Sequence, residues 1–154
     1  MATIAEISKD LENWTVFITT LFPYSEDILC KQMAGTWSIQ DTISHIMGWD
    51  KDFIKTLDKI INDEQITLQE NPDVQAFNDA SVDFGRTMKL HDLLNEAISQ
   101  RKRMIEKLKT VSESIFISQF NNSPYTMESF LQEMFVHHDR YHKEQIVNFL
   151  QSID

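Results

Sequence analysis

His138 and His142 lie four positions apart in the run Val136-His137-His138-Asp139-Arg140-Tyr141-His142-Lys143-Glu144-Gln145. On a helix that spacing sets two side chains about 40° apart on one face, close enough for two imidazoles to hold one cation. His137 lies five positions before His142, about 140° away around the same helix, and reads as a surface or helix-boundary residue. Two ligands do not make a tight site, so a third must come from another helix. His45, on the flank of the apolar positions Ile46, Trp49 and Phe53, is the first candidate. His91, beside Lys89 and Asp92, is the competitor, but its neighbours suit an exposed position better than an interior.

These residues need helices to bring them together. Only three glycines and three prolines punctuate the 154 residues, and apolar side chains recur every three or four positions, so the class is all-α. A first helix is expected from Ile4 to Leu21, followed by Pro23. A second begins at Ser38, whose hydroxyl can cap the first turn while Asp41 completes a capping box, and continues to about Asn62. The stretch from Asp73 to Gly85 reads as a short helix or an ordered loop that Gly85 breaks. A third long helix covers Leu90 to about Val111, and a fourth runs from about Met127 to Gln151, after a turn at Asn121 to Pro124 and a cap at Thr126.

Four such helices make a four-helix bundle, expected to form one domain over residues 1–154. The long joint from Asp63 to Lys89 predicts a crossover that leaves the second and third helices parallel. No internal repeat is evident. On the fourth helix the inward stripe reads Leu131, Met134 or Phe135, His138, His142 (or Tyr141), Gln145 or Ile146, and Phe149, so both histidines occupy positions that ought to be apolar. Buried imidazoles need partners, and the pair is satisfied either by hydrogen bonds within the core or by a metal.

Composition narrows the function. With 24 acidic against 14 basic side chains, the net charge of -10 repels nucleic acid and anionic membranes at long range. The basic run Arg101-Lys102-Arg103, with Lys107 and Lys109, is interleaved with Glu96 and Glu106 and reads as a solvated helix face, although the inward stripe of the third helix can take Arg101 in place of Met104. No apolar run approaches the roughly 20 residues that cross a bilayer. The single cysteine, Cys30, cannot form an internal disulfide, and no leader pattern opens the chain, so a cytoplasmic protein is expected. Cys30 reads equally as a small buried residue or a reactive thiol.

The segment Thr36 to Asp50 carries Trp37, Ser38, Asp41, His45, Ile46 and Trp49, and so resembles the W-S-x-x-D-x-x-x-H-h-x-x-W signature of DinB-like proteins. His138, His142, Gln145 and Ile146 resemble the same family's C-terminal H-x-x-x-H-x-x-Q-I. The resemblance covers nearly the whole chain. It implies a four-helix bundle with a long second-to-third crossover, a divalent metal, zinc or nickel, held by His45, His138 and His142, and a possible homodimer. It also implies relatives such as bacillithiol and mycothiol S-transferases, a maleylpyruvate isomerase and stress-protective proteins. Val74 to Asn78 further resembles a region of the colibactin self-resistance branch, which lacks a clear match to the His138 and His142 pair. Its hydrolase activity is therefore not carried over from that branch.

Three neutral imidazoles with open positions fit a catalytic ion better than a closed structural one, and nitrogen ligands suit zinc or nickel. The expected enzyme lowers the pKa of a thiol, such as bacillithiol, or of water, and delivers it to a small electrophile as a low-molecular-weight thiol S-transferase or a hydrolase. Gln145 is the candidate to orient His142, with Asp41 and Tyr141 behind it. Trp49, Phe53, Met47 and Met134 either line a pocket above the ion or are plain core. The alternative is a non-catalytic bundle that binds a small molecule and carries a structural metal.

Overall fold

The computed structural model describes residues 1–33, 35–64, 73–119 and 123–153, and these are helical with short joints. α1 spans Ile4–Thr19, α2 Glu26–Leu29, α3 Ile39–Ile61, α4 Val74–Arg86, α5 Leu90–Leu108, α6 Glu113–Phe116 and α7 Met127–Leu131. A π-helical turn, Gln132–Val136, then leads into α8, His137–Ser152. No described helix is long and apolar enough to cross a membrane. α1, α3, α5 and the composite α7–α8 rod form a four-helix bundle, with α1 beside α5, α5 beside α3, α3 beside α8, and α1 closing on the π turn.

Local chemistry sets these bounds. The Ser38 hydroxyl accepts the Asp41 N–H at 3.1 Å and the Asp41 carboxylate accepts the Ser38 N–H at 3.1 Å, so the expected capping box opens α3. Thr126 and Ser129 form a second one at α7. The expected turn at Asn121 and Asn122 lies outside the described residues, as do positions 65–72 of the crossover.

The pairings fix the directions. Asp50 meets Arg101 and Asp58 meets Lys107, in the same order along both helices, so α3 and α5 are parallel, as the long joint predicts. α4 runs antiparallel along α3. Ser44 faces Gly85 and Gly48 faces Ser81, and a Cβ at either glycine would lie 1.7 or 2.1 Å from the facing serine Oγ. Gly85 therefore does not break the helix, which continues to Arg86; its missing side chain lets the two backbones approach.

Two apolar clusters fill the bundle. One gathers Trp14, Ile18, Ile43, Ile46, Leu94 and Ile146 near one end, and the other Leu11, Phe53, Leu57, Met104, Leu131 and Phe135 near the other. Between them every long helix contributes a polar level: Leu11 through its carbonyl, Asp50, Arg101, and the stretch from His138 to His142.

The π turn changes which face of the fourth rod is buried. A turn wider than the α turn shifts the register that a continuous α-helix would keep. Phe135, Val136, Asp139, His142, Ile146 and Leu150 are buried, while Met134 is exposed and His138 and Phe149 are half-buried. The expected stripe is thus displaced by one position at Asp139 and again at Leu150.

A repeat is present that the sequence reading does not detect. Ser25 caps α2 and Ser112 caps α6, each a single turn. Isolated antiparallel bridges follow, Gln32 with Ser38 and Gln119 with Thr126, and each second partner is the cap of the next helix. From Ser38 to Asp50 is one residue shorter than from Thr126 to Asp139, a difference the π turn accommodates. Asp50 and Asp139 thus occupy matching places, and both bind Arg101.

Candidate metal centre

α3 supplies His45 and α8 supplies His138 and His142. His45 Nε2 lies 3.2 Å from His138 Nε2, and His142 Nε2 lies 3.0 Å from the same atom. One ligand atom from each ring falls within 4.8 Å of the others. The far side of two rings is held. His142 Nδ1–H donates to Gln145 Oε1 at 3.1 Å, so Gln145 sits where the sequence expects an orienting residue.

His45 is held by a residue that sequence reasoning passed over. Asn78, on α4, places Oδ1 3.0 Å from His45 Nδ1 and 2.8 Å from Trp49 Nε1. An indole N–H can only donate, so the amide atom it meets is the oxygen. His45 Nδ1 must then carry its proton, and His45 Nε2 presents a lone pair to the cluster. The sequence signal for Asn78 was weak, because it is a polar residue in a stretch whose periodicity is ambiguous.

The donor set fits a cation. His45 and His142 both direct unprotonated Nε2 atoms at His138, which carries at most one hydrogen on its own Nε2. One proton cannot satisfy two facing lone pairs well, whereas an ion accepts from all three. Zinc bonds to nitrogen near 2.0–2.1 Å in a tetrahedral frame, which separates the nitrogens by roughly 3.3 Å, close to the spacings found here. Protonation is not an alternative at neutral pH. Burial pushes the His45 and His138 pKa values down to about 4, and the neighbouring imidazoles push the same way. His142 is lowered too, chiefly by burial. At 5% and 6% exposure, His45 and His142 have little water to turn to.

Aromatic rings surround the cluster. The Trp37 ring lies 4.8 Å from that of His45, and the Tyr141 ring 5.1 Å from that of His142. Tyr141 is 63% exposed and touches His142 through its ring rather than by a hydrogen bond. The Trp49 ring packs at a tilt against Phe77 of α4, centroids 4.1 Å apart. Met47 and Phe53 belong to the two apolar clusters and Met134 faces outward, so of the four pocket candidates only Trp49 borders the site.

The remaining candidates are placed elsewhere. Both Asp41 oxygens are engaged by Arg86, at 2.9 Å each, in addition to the Ser38 N–H. Burial pushes the Asp41 pKa up, but Arg86 and Ser38 outweigh it and lower the value. His91 is exposed beside Phe22, and exposed His137 pairs with Glu133 at 3.4 Å. Cys30 is exposed, with its thiol 3.3 Å from Gln40 Oε1, and burial together with nearby acidic groups raises its pKa.

Arg101 corrects the reading of the basic run as a solvated face. It is wholly buried, and its Nε, Nη1 and Nη2 donate to Asp50, Asp139 and the Leu11 carbonyl in five bonds of 2.6 to 3.1 Å. Burial opposes its charge, but the two carboxylates outweigh this and raise its pKa. Asp139, between the two α8 histidines in sequence, is thus turned away from the imidazoles into the bundle.

No curated protein matches the sequence. The fold is similar to that of a Streptococcus pneumoniae protein solved by structural genomics, at a TM-score of 0.82 and 10% identity, over 98% of this chain and 92% of that one. The sequence pattern of the DinB superfamily matches residues 11–146, a span that includes all three clustered histidines, and the chain belongs to that superfamily.

Proposed function

We propose that His45, His138 and His142 hold a divalent ion, zinc or nickel, and that the protein is a metal-dependent enzyme transferring a low-molecular-weight thiol, or water, to a small electrophile. The observation that carries this reading is the convergence of three Nε2 atoms whose lone pairs have no adequate partner in one another. Such an ion would supply a Lewis acid that lowers the pKa of a thiol or water brought to it. The chain's own part is to keep the imidazoles neutral by burial, to hold their outer nitrogens with Asn78 and Gln145, and to leave the half-buried side of His138 open to a small molecule.

The packing favours this over a structural ion. The two apolar clusters and the Arg101 level hold all four rods together without help from the histidines. The metal-free protein should therefore stay folded and unfold cooperatively, where a structural ion would leave it unfolded or molten on removal.

The test begins with elemental analysis of untagged protein. About one zinc or nickel per chain is expected, and its absence even after adding either ion would overturn the reading. Loaded protein is then assayed with a panel of electrophiles plus bacillithiol, cysteine or glutathione, and with water alone. Turnover should vanish in His138→Ala. If loaded wild type and that variant behave identically, the protein binds an ion without using it in catalysis.

A further inference from the structure

α4 forms a wall of the site and packs along α3 with few buried side chains of its own. Val82 and Gly85 are its buried residues, and Val74 to Ala76 and Asp79 to Ala80 are exposed. It meets α3 through two glycine–serine crossings, through Arg86 on Asp41, and through Phe77 and Asn78 on Trp49. Of these contacts, only that of Asn78 reaches one of the clustered imidazoles, its Oδ1 accepting the His45 Nδ1–H.

Resting on the metal assignment above, we propose that Asn78 is a positioning residue that makes ion binding and the docking of α4 reciprocal. Its oxygen is pinned by the Trp49 N–H and fixes the His45 tautomer whose Nε2 is free to ligate. When α4 lifts, His45 loses the partner that selects this tautomer and ring orientation, and the ion loses affinity. By linkage, an ion that requires the docked arrangement must tighten α4 by the same factor. The crossover helix thereby becomes a wall of the site that closes when the ion is present and loosens when it is absent.

The experiment uses the whole chain, with zinc as the probe. In zinc-free protein, nitrogen NMR should show His45 protonated at Nδ1 in wild type and in Asn78→Asp, whose carboxylate accepts the same proton, but a tautomer mixture in Asn78→Leu. Zinc affinity, measured against a chromophoric chelator, should fall about 10- to 100-fold in Asn78→Leu and stay within a few-fold in Asn78→Asp. Zinc should slow hydrogen exchange of the α4 amides by a similar factor in wild type and leave them unchanged in Asn78→Leu. Trp49→Phe keeps the ring and removes only the N–H; it should weaken zinc in the same direction, which covers the case in which Asn78→Leu misfolds. Wild-type zinc affinity together with wild-type slowing of α4 exchange by zinc, in both Asn78→Leu and Trp49→Phe, would overturn the proposal while leaving the metal centre standing. A wild type that binds no zinc or nickel would overturn the metal centre and the reciprocity with it, while the tautomer measurement would still decide what Asn78 does to His45.

Discussion

Two polar groups share the middle level of this bundle, and they are built on opposite plans. Around Arg101 the five N–H bonds meet two carboxylates and one carbonyl, and the group is complete. Around His138 three ring nitrogens face one another with too few protons between them. The first arrangement needs nothing from outside, whereas the second leaves lone pairs that the chain's own protons do not satisfy. A buried polar group by itself says little about function; whether its donors and acceptors balance says a great deal.

The largest effect should come from breaking the closed group. Arg101→Met leaves Asp50 and Asp139 buried and unpaired, and urea unfolding should show a loss of about 3–5 kcal/mol. Replacing all three residues by apolar ones should recover most of it, which would mark the group as a fixer of register rather than a net source of stability. Gly85→Ala comes next. Its Cβ must displace Ser44, whose Cβ lies 2.5 Å away, so about 1–3 kcal/mol should be lost and zinc affinity should fall with the loosened α4.

Acid should separate the two groups by sign. His45 and His138 titrate near 4 in the folded chain against about 6.5 when unfolded, so their contribution is present above pH 6.5 and lost as pH falls toward 4. Burial raises Asp50 to about 6 despite Arg101, so its contribution is present below its ordinary value near 4 and lost as pH rises through 6. In metal-free protein, His138→Ala should therefore gain in melting temperature relative to wild type between pH 6.5 and 4. A difference that stays constant over that range would show that the histidines are not held neutral by burial. The smallest effect belongs to the half-exposed pair of Lys107 and Asp58, where Lys107→Ala should change stability by only about 0.2–1 kcal/mol.

Much of the scaffold was legible in the sequence because it rests on local rules. The Ser38 and Thr126 caps, the long helices and the parallel crossover follow from capping chemistry, periodicity and joint length. The clustering of the three histidines was legible because of their types and spacing, with the apolar flank of His45 favouring it over His91 and family likeness agreeing. Arg101 was legible only as an alternative to Met104 on the inward stripe, since a charged residue flanked by others of its kind gives no sign that a distant pair of aspartates will enclose it. Asp139 was missed because the π turn alters the count along the helix. Asn78 was missed because its partners, His45 and Trp49, come together only when α4 folds back along α3.

The repeated joints and caps have one more consequence. Counted from Ser38 and Thr126, with the extra π residue allowed for, Trp49 matches His138 and Phe53 matches His142. Phe53 packs against Phe130 and Phe135 at 5.7 and 5.2 Å, sealing its side of the seam with hydrocarbon. The two halves thus repeat approximately around the Arg101 group, and the imidazole cluster lies where the repeat is broken. The imidazoles of His138 and His142 stand in one half where the other half carries the rings of Trp49 and Phe53, and only the half with imidazoles places them against His45.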